Sequence, residues 1–91
     1  MKQPKGIDNE FLATIEGMTI DQLKASVVTL SVQAQENEAF KESPEFVAAQ
    51  EEFDYAKDRY QMVAGPIKET ATVLKNRTKA VIERLKEKGG A

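Results

Sequence analysis

The sequence predicts an all-α protein, an antiparallel helical hairpin with a short N-terminal helix and a long second helix. Two observations carry this. Every apolar pattern in the 91 residues recurs with a period near 3.5, the period of a helix rather than the alternation of a strand. Helix start signals at Asp8, at Thr19 with Gln22 and at Ser43-Pro44 stand directly ahead of those patterns. The expected organisation is a flexible arm over residues 1–7, one helical domain over 8–88 and a disordered tail over 89–91.

The first element is a short helix capped by Asp8 and carrying Phe11, Leu12 and Ile15. Gly17 is expected to end it in a left-handed cap. So short a helix is unstable alone, and its apolar residues require a surface on which to dock.

Thr19 and Gln22 form a capping box, and Met18 and Leu23 take the positions of a hydrophobic staple. Asp21 lies in the first turn, where the helix dipole favours an anion. The helix is predicted to run to about Lys41. Ile20, Leu23, Val27, Leu30 and Ala34 make one apolar stripe at spacings of three and four. Ala25, Val28, Val32 and Ala39 make a second, weaker stripe, which predicts a helix covered on more than one side.

Ser43 reads as an N-cap with Pro44 at the first helical position and Glu45 in the first turn. Pro44 disfavours helical geometry at Ser43 and so ends the preceding helix. A connection this short makes the next helix an antiparallel neighbour. From there Phe46, Phe53, Tyr60, Ile67, Leu74 and Val81 recur every seven residues. Ala49, Ala56, Val63, Ala71 and Leu85 stand as their companions. The set Phe46, Phe53, Tyr60, Ile67, Leu74, Val81 and Leu85 is the candidate surface for helix packing or coiled-coil self-association.

Gly65-Pro66 interrupts this run, and two readings stand. Pro66 kinks one long helix, or Gly65 ends a helix and Pro66 starts another to give a three-helix bundle. The heptad phase passes through Pro66 unbroken, which favours the kink. A kinked helix of about 44 residues would reach ~66 Å and overhang its partner, leaving Leu74, Val81 and Leu85 to be covered by a second copy or another protein.

Composition limits the chemistry. The chain has neither Cys nor His, which removes disulfides, thiolate nucleophiles, Cys/His zinc sites and imidazole bases. No Gly-rich phosphate loop is present. Ser26, Thr29 and Ser31 have no base nearby, so no hydroxyl nucleophile is expected. Glu36, Glu38, Glu42 and Glu45 cluster at a helix end without the glycine and ligand alternation of a cation loop, and read as solvated acid. The expectation is a chain that is not an enzyme and has no cofactor and no metal. No apolar run is long enough to cross a membrane, and the first residues lack the apolar stretch of a signal peptide. A cytoplasmic protein is expected.

Charge is polarised although the total is only −2. Residues 36–58 hold eight acidic and two basic residues, whereas 59–91 hold eight basic and three acidic ones. The plainest origin is complementation of the helix dipole, with acids opening the helix and bases closing it. Pairs such as Lys79 with Glu83 and Glu83 with Lys86 fit a solvated face. Lys75, Arg77, Lys79, Arg84, Lys86 and Lys88 are the candidate basic contact surface, for an acidic protein or for nucleic acid. Nucleic acid is the less favoured, because three Glu are interspersed and no aromatic lies in the basic segment for base stacking.

Three features taken together resemble small, uncharacterised helical-hairpin proteins of tailed phages. They are the opening Met18-Thr19-Ile20-Asp21-Gln22-Leu23-Lys24, the acidic middle, and Ala64-Gly65-Pro66-Ile67-Lys68-Glu69 before a basic, aliphatic last helix. The resemblance implies an accessory role in the host cytoplasm or the virion and transfers no catalytic residue. The function expected is a helical interaction protein that self-associates and modulates or scaffolds a protein partner. The alternative is a nucleic-acid accessory protein using the basic last helix.

Overall fold

A computed structural model describes residues 3–89. It contains α1 (Asn9–Glu16), α2 (Ile20–Ala39), a 3-10 turn (Phe40–Glu42), α3 (Pro44–Glu51) and α4 (Lys57–Glu87), and no strand among the described residues. The all-α class stands.

The start signals form as their chemistry requires. The Phe11 N–H donates to the Asp8 carboxylate at 2.7 Å. Thr19 and Gln22 close a reciprocal capping box, each side chain accepting from the other's backbone N–H at 3.2 and 2.9 Å. The Phe46 N–H donates to the Ser43 hydroxyl at 3.2 Å, with Pro44 at the head of α3. Each bond satisfies a donor that the first turn of a helix leaves without an intrahelical partner.

α2 and α4 run antiparallel and form the body of the molecule. Asn37 meets Ile67, Leu30 shares the core with Leu74 and Val81, and Arg84 reaches Glu16 just ahead of α2. The core consists of Ile15, Leu23, Leu30, Leu74, Val81 and Leu85, with Phe11, Met18, Ile20, Val27, Ala34 and Ala80 packed around it. Leu23 and Val81 are fully enclosed. Each such side chain contributes roughly 1.5–3 kcal/mol by leaving water. The radius of gyration, 16.4 Å, exceeds the roughly 12 Å of a compact chain of this length. The extents of 51 × 29 × 17 Å are those of an elongated molecule.

Two expectations are corrected, the start of the long helix at Pro44 and the left-handed cap at Gly17. The long second helix does not begin at Pro44, because it is broken at Glu52–Ala56 into α3 and α4. The carboxylates of Glu51, Glu52 and Asp54 oppose the negative end of the helix dipole there, and Asp and Tyr are poor helix formers. The break also lets Phe46 and Phe53 both reach Tyr60, with ring centroids 6.0 and 4.8 Å away. An unbroken helix would carry the two phenyl rings past the end of α2.

Gly65-Pro66, by contrast, is not a turn. α4 continues through it for 31 residues, with Pro66 inside the helix. The helix end that the three-helix alternative places at Gly65 does not occur. Gly17 is not left-handed either, having φ −81°. The Met18 N–H closes onto the Ile15 carbonyl at 3.2 Å, and Arg84 donates to the Glu16 carbonyl at 3.2 Å, so the end of α1 is satisfied without a left-handed residue.

Finally, the N-terminal arm is fastened at Lys5 and Gly6. Asn76 Nδ2 donates to the Lys5 carbonyl at 3.0 Å and Arg77 Nε to the Gly6 carbonyl at 2.8 Å. Gly6 adopts φ +83°, and a Cβ there would stand 2.5 Å from Val73 Cγ1, so only glycine fits. Residues 1 and 2 of the arm, and 90 and 91 of the expected tail, lie outside the described residues.

Candidate protein-docking groove

The residues expected to drive self-association are engaged within the chain. Leu74, Val81 and Leu85 are buried against α2 and α1, and Phe46 is buried at the other end. Tyr60 and Ile67 are half-buried, and Phe53 retains 38% of its exposure. No overhang exists to expose the aliphatic end of the heptad series, because α3 folds back and α2 lies along α4.

The basic candidates separate into two groups. Arg77 and Arg84, seven residues apart, face α1. Arg77 binds the Gly6 carbonyl with its guanidinium 5.2 Å from the centre of the Phe11 ring. Arg84 binds the Glu16 carbonyl and pairs with Glu87 at 3.1 Å. These two cations hold the N-terminal segment onto α4 and are not a free contact surface. Lys75, Lys79 and Lys86 lie on another side of α4, where they line an open groove against α2. Lys88 is half-buried at the helix end and does not line the groove.

The groove occupies about 590 Å³ between α2 and α4. Its apolar wall is Ala34 of α2 with Ala71, Leu74 and Ile82 of α4. Ser31 and Thr78 add hydroxyls, and Glu38 and Glu83 stand among the three lysines. At 100° per residue, the α4 residues of this wall and those that meet α1 lie on opposite sides of the core stripe Leu74–Val81–Leu85. α1 therefore covers one flank of the hairpin and leaves the other open. The anticipated pairs of Glu83 with Lys79 and Lys86 do not form ion pairs; the ion pair within α4 is Arg84 with Glu87.

Sequence reasoning named the lysines but missed Ser31, Ala34, Thr78 and Ile82 as neighbours. The available signal was the alanine pair: Ala34 ends the main stripe of α2 and Ala71 is a heptad companion, so the facing helices carry little side chain at that level. Asn37 was also missed. It is buried, with 6% of its surface exposed, and Nδ2 donates to the Ile67 carbonyl at 2.9 Å.

Other surface features carry less. The Phe46–Tyr60–Phe53 cluster, with Lys68 Nζ 5.5 Å from the Tyr60 ring centre, closes the α3 end of the molecule. Phe40, Tyr55 and Met62 are exposed. Among the described residues no group of three or more carboxylates is placed to hold a metal ion, and no helix is long and apolar enough to cross a membrane. No known protein family, curated protein or solved structure matches the chain.

Proposed function

We propose that the chain is a non-enzymatic helical interaction protein, and that the groove between α2 and α4 receives an acidic, amphipathic helix of a protein partner. The observation that carries this reading is the groove itself, apolar along Ala34, Ala71, Leu74 and Ile82 and bordered by Lys75, Lys79 and Lys86. A helix laid there completes a third packing contact on the hairpin, its apolar residues entering between the two helices. Its acidic residues would meet the lysines, which speeds encounter and fixes orientation more than it adds affinity. Glu38 and Glu83 in the same groove work against a nucleic-acid backbone, which presents negative charge continuously. The resemblance to tailed-phage hairpin proteins supports an accessory role for such an interaction, modulating or scaffolding the partner.

The test is site-specific photocrosslinking in the cells that make the protein. A photoreactive residue replaces Thr78 in the groove, or Thr72 on the exposed face of α4 as the control. A discrete protein adduct from position 78 alone, whose crosslinked peptide is acidic with apolar residues at helical spacing, supports the reading. Loss of that adduct on Ile82→Glu ties it to the apolar wall. A nuclease-sensitive adduct would favour the nucleic-acid alternative, and no adduct above the position 72 background overturns both.

A further inference from the structure

The weaker apolar stripe of α2 predicts a covering that the structure does not supply. Val28 and Val32 retain 63% and 46% of their exposure, and Ala25 and Ala39 are exposed with them. On the helical wheel this stripe lies directly opposite Leu23, Leu30 and Asn37, the residues that bury α2 against the rest of the chain. It is separate from the groove, whose α2 wall is Ser31, Ala34 and Glu38.

Three features identify what covers it. First, the charge is absent where an interface would need it absent: no charged residue lies between Lys24 and Glu36. Depletion of charge at the centre is what distinguishes the core of an interface from ordinary surface. Secondly, the stripe is built of valine and alanine, so another helix can approach closely. Thirdly, the pattern complements itself. If a second α2 lies antiparallel with the two-fold axis level with Leu30, Val28 faces Val32 of the second copy and Lys24 faces Glu36 of the second copy. Two-fold symmetry then produces each contact twice. A parallel arrangement would instead set Lys24 against Lys24 and Glu36 against Glu36. Neither residue takes part in an ion pair within the chain among the described residues, so both charges are free to serve this contact.

We infer that the outer face of α2 pairs with the same face of a second copy, antiparallel, to form a two-fold dimer through Val28 and Val32 with Lys24–Glu36 pairs at both ends. This surface replaces the heptad series as the route to self-association and leaves both grooves of the dimer open. Such a face is small, so the dimer is a weak one, in exchange with monomer at micromolar concentrations.

Sedimentation equilibrium of the full chain up to about 200 μM at low salt tests this, a range suited to weak interfaces. The wild type is expected to show monomer–dimer exchange. Lys24→Glu or Glu36→Lys alone sets like charges together at both ends and should lower the association constant about tenfold, about 1.4 kcal/mol. The double variant Lys24→Glu with Glu36→Lys should restore it. All these sites are exposed, and circular dichroism checks that each variant keeps its helix. Val28→Glu should leave monomer only. A wild-type chain that stays monomeric across this range overturns the inference, as does a dimer that the single charge reversals leave unchanged or that the double variant fails to restore. Ile82→Glu serves as the separating control. It should not alter the dimer, and loss of the dimer there would place the contact in the groove instead.

Discussion

Asn37 on α2 donates its side-chain amide to the backbone carbonyl of Ile67 on α4 at 2.9 Å, a hydrogen bond that joins the two long helices. Ile67 lies one residue beyond Pro66, and the bond fixes how far α2 slides along α4. Apolar stripes alone would tolerate a slip of one turn, whereas a single buried amide has one place to bind.

Asn37→Asp tests that contact most sharply. A carboxylate facing a carbonyl places two acceptors together in a buried site, and the change should cost about 1–3 kcal/mol at neutral pH. The sign with pH follows. Burial raises the carboxyl's pKa in the folded state above its unfolded value, so the folded chain holds its proton to higher pH. The penalty is absent below the unfolded pKa, grows as pH rises between the two values and is complete above the folded one. Urea unfolding at pH 7 and at mildly acidic pH, with the wild type as reference, reads it. A deficit independent of pH would show that the site is open to water.

Leu23→Ala removes the centre of the core. Leu23 is fully buried, and the change should cost about 2–5 kcal/mol, a large share of the stability of a small domain. Val28→Ala on the same helix, at 63% exposure, should stay within ~0.5 kcal/mol. Chemical denaturation of dilute protein compares the two. Equal losses would mean that Val28 is as deeply packed as Leu23.

Gly6→Ala should release the N-terminal segment and leave the hairpin standing. The new Cβ would clash with Val73, whose Cα is also within 3.1 Å, and φ +83° disfavours any side chain. The Arg77 and Asn76 bonds to the arm should be lost with it. Hydrogen exchange should accelerate at Ile7, whose N–H now donates to the Pro4 carbonyl at 3.0 Å, and not in the middle of α2. Unchanged exchange at Ile7 would contradict the latch.

Pro66→Ala should stabilise the chain. Proline inside a helix withholds an N–H from the Met62 carbonyl and crowds the preceding turn, a defect of up to about 3 kcal/mol. Restoring the N–H should raise the melting temperature with no loss of helix by circular dichroism. A lower melting temperature would indicate that proline at this point serves the packing around Ile67.

The sequence by itself determined the local structure. Asp8, the Thr19–Gln22 box and Ser43-Pro44 start helices where they stand, because a cap acts on backbone groups within three residues of it. The main stripe of α2 and the Leu74–Val81–Leu85 series name core residues for the same reason: a face is set by spacing along one helix. Where that helix ends is a tertiary matter. The heptad phase runs evenly from Phe46 to Val81, yet the chain breaks at Glu52–Ala56 and continues through Pro66. Folding α3 back sets Phe46 and Phe53 beside Tyr60, a gain that no single segment records, while the loss at Pro66 is a single local bond set against 31 residues of packed helix. The candidate surfaces divide in the same way. The lysines and arginines of α4 are indistinguishable as a run of charge, but only the packing of α1 engages Arg77 and Arg84 and leaves Lys75, Lys79 and Lys86 beside an open groove. Charge and period are properties of the chain; which face is free depends on which other helix arrives to cover it.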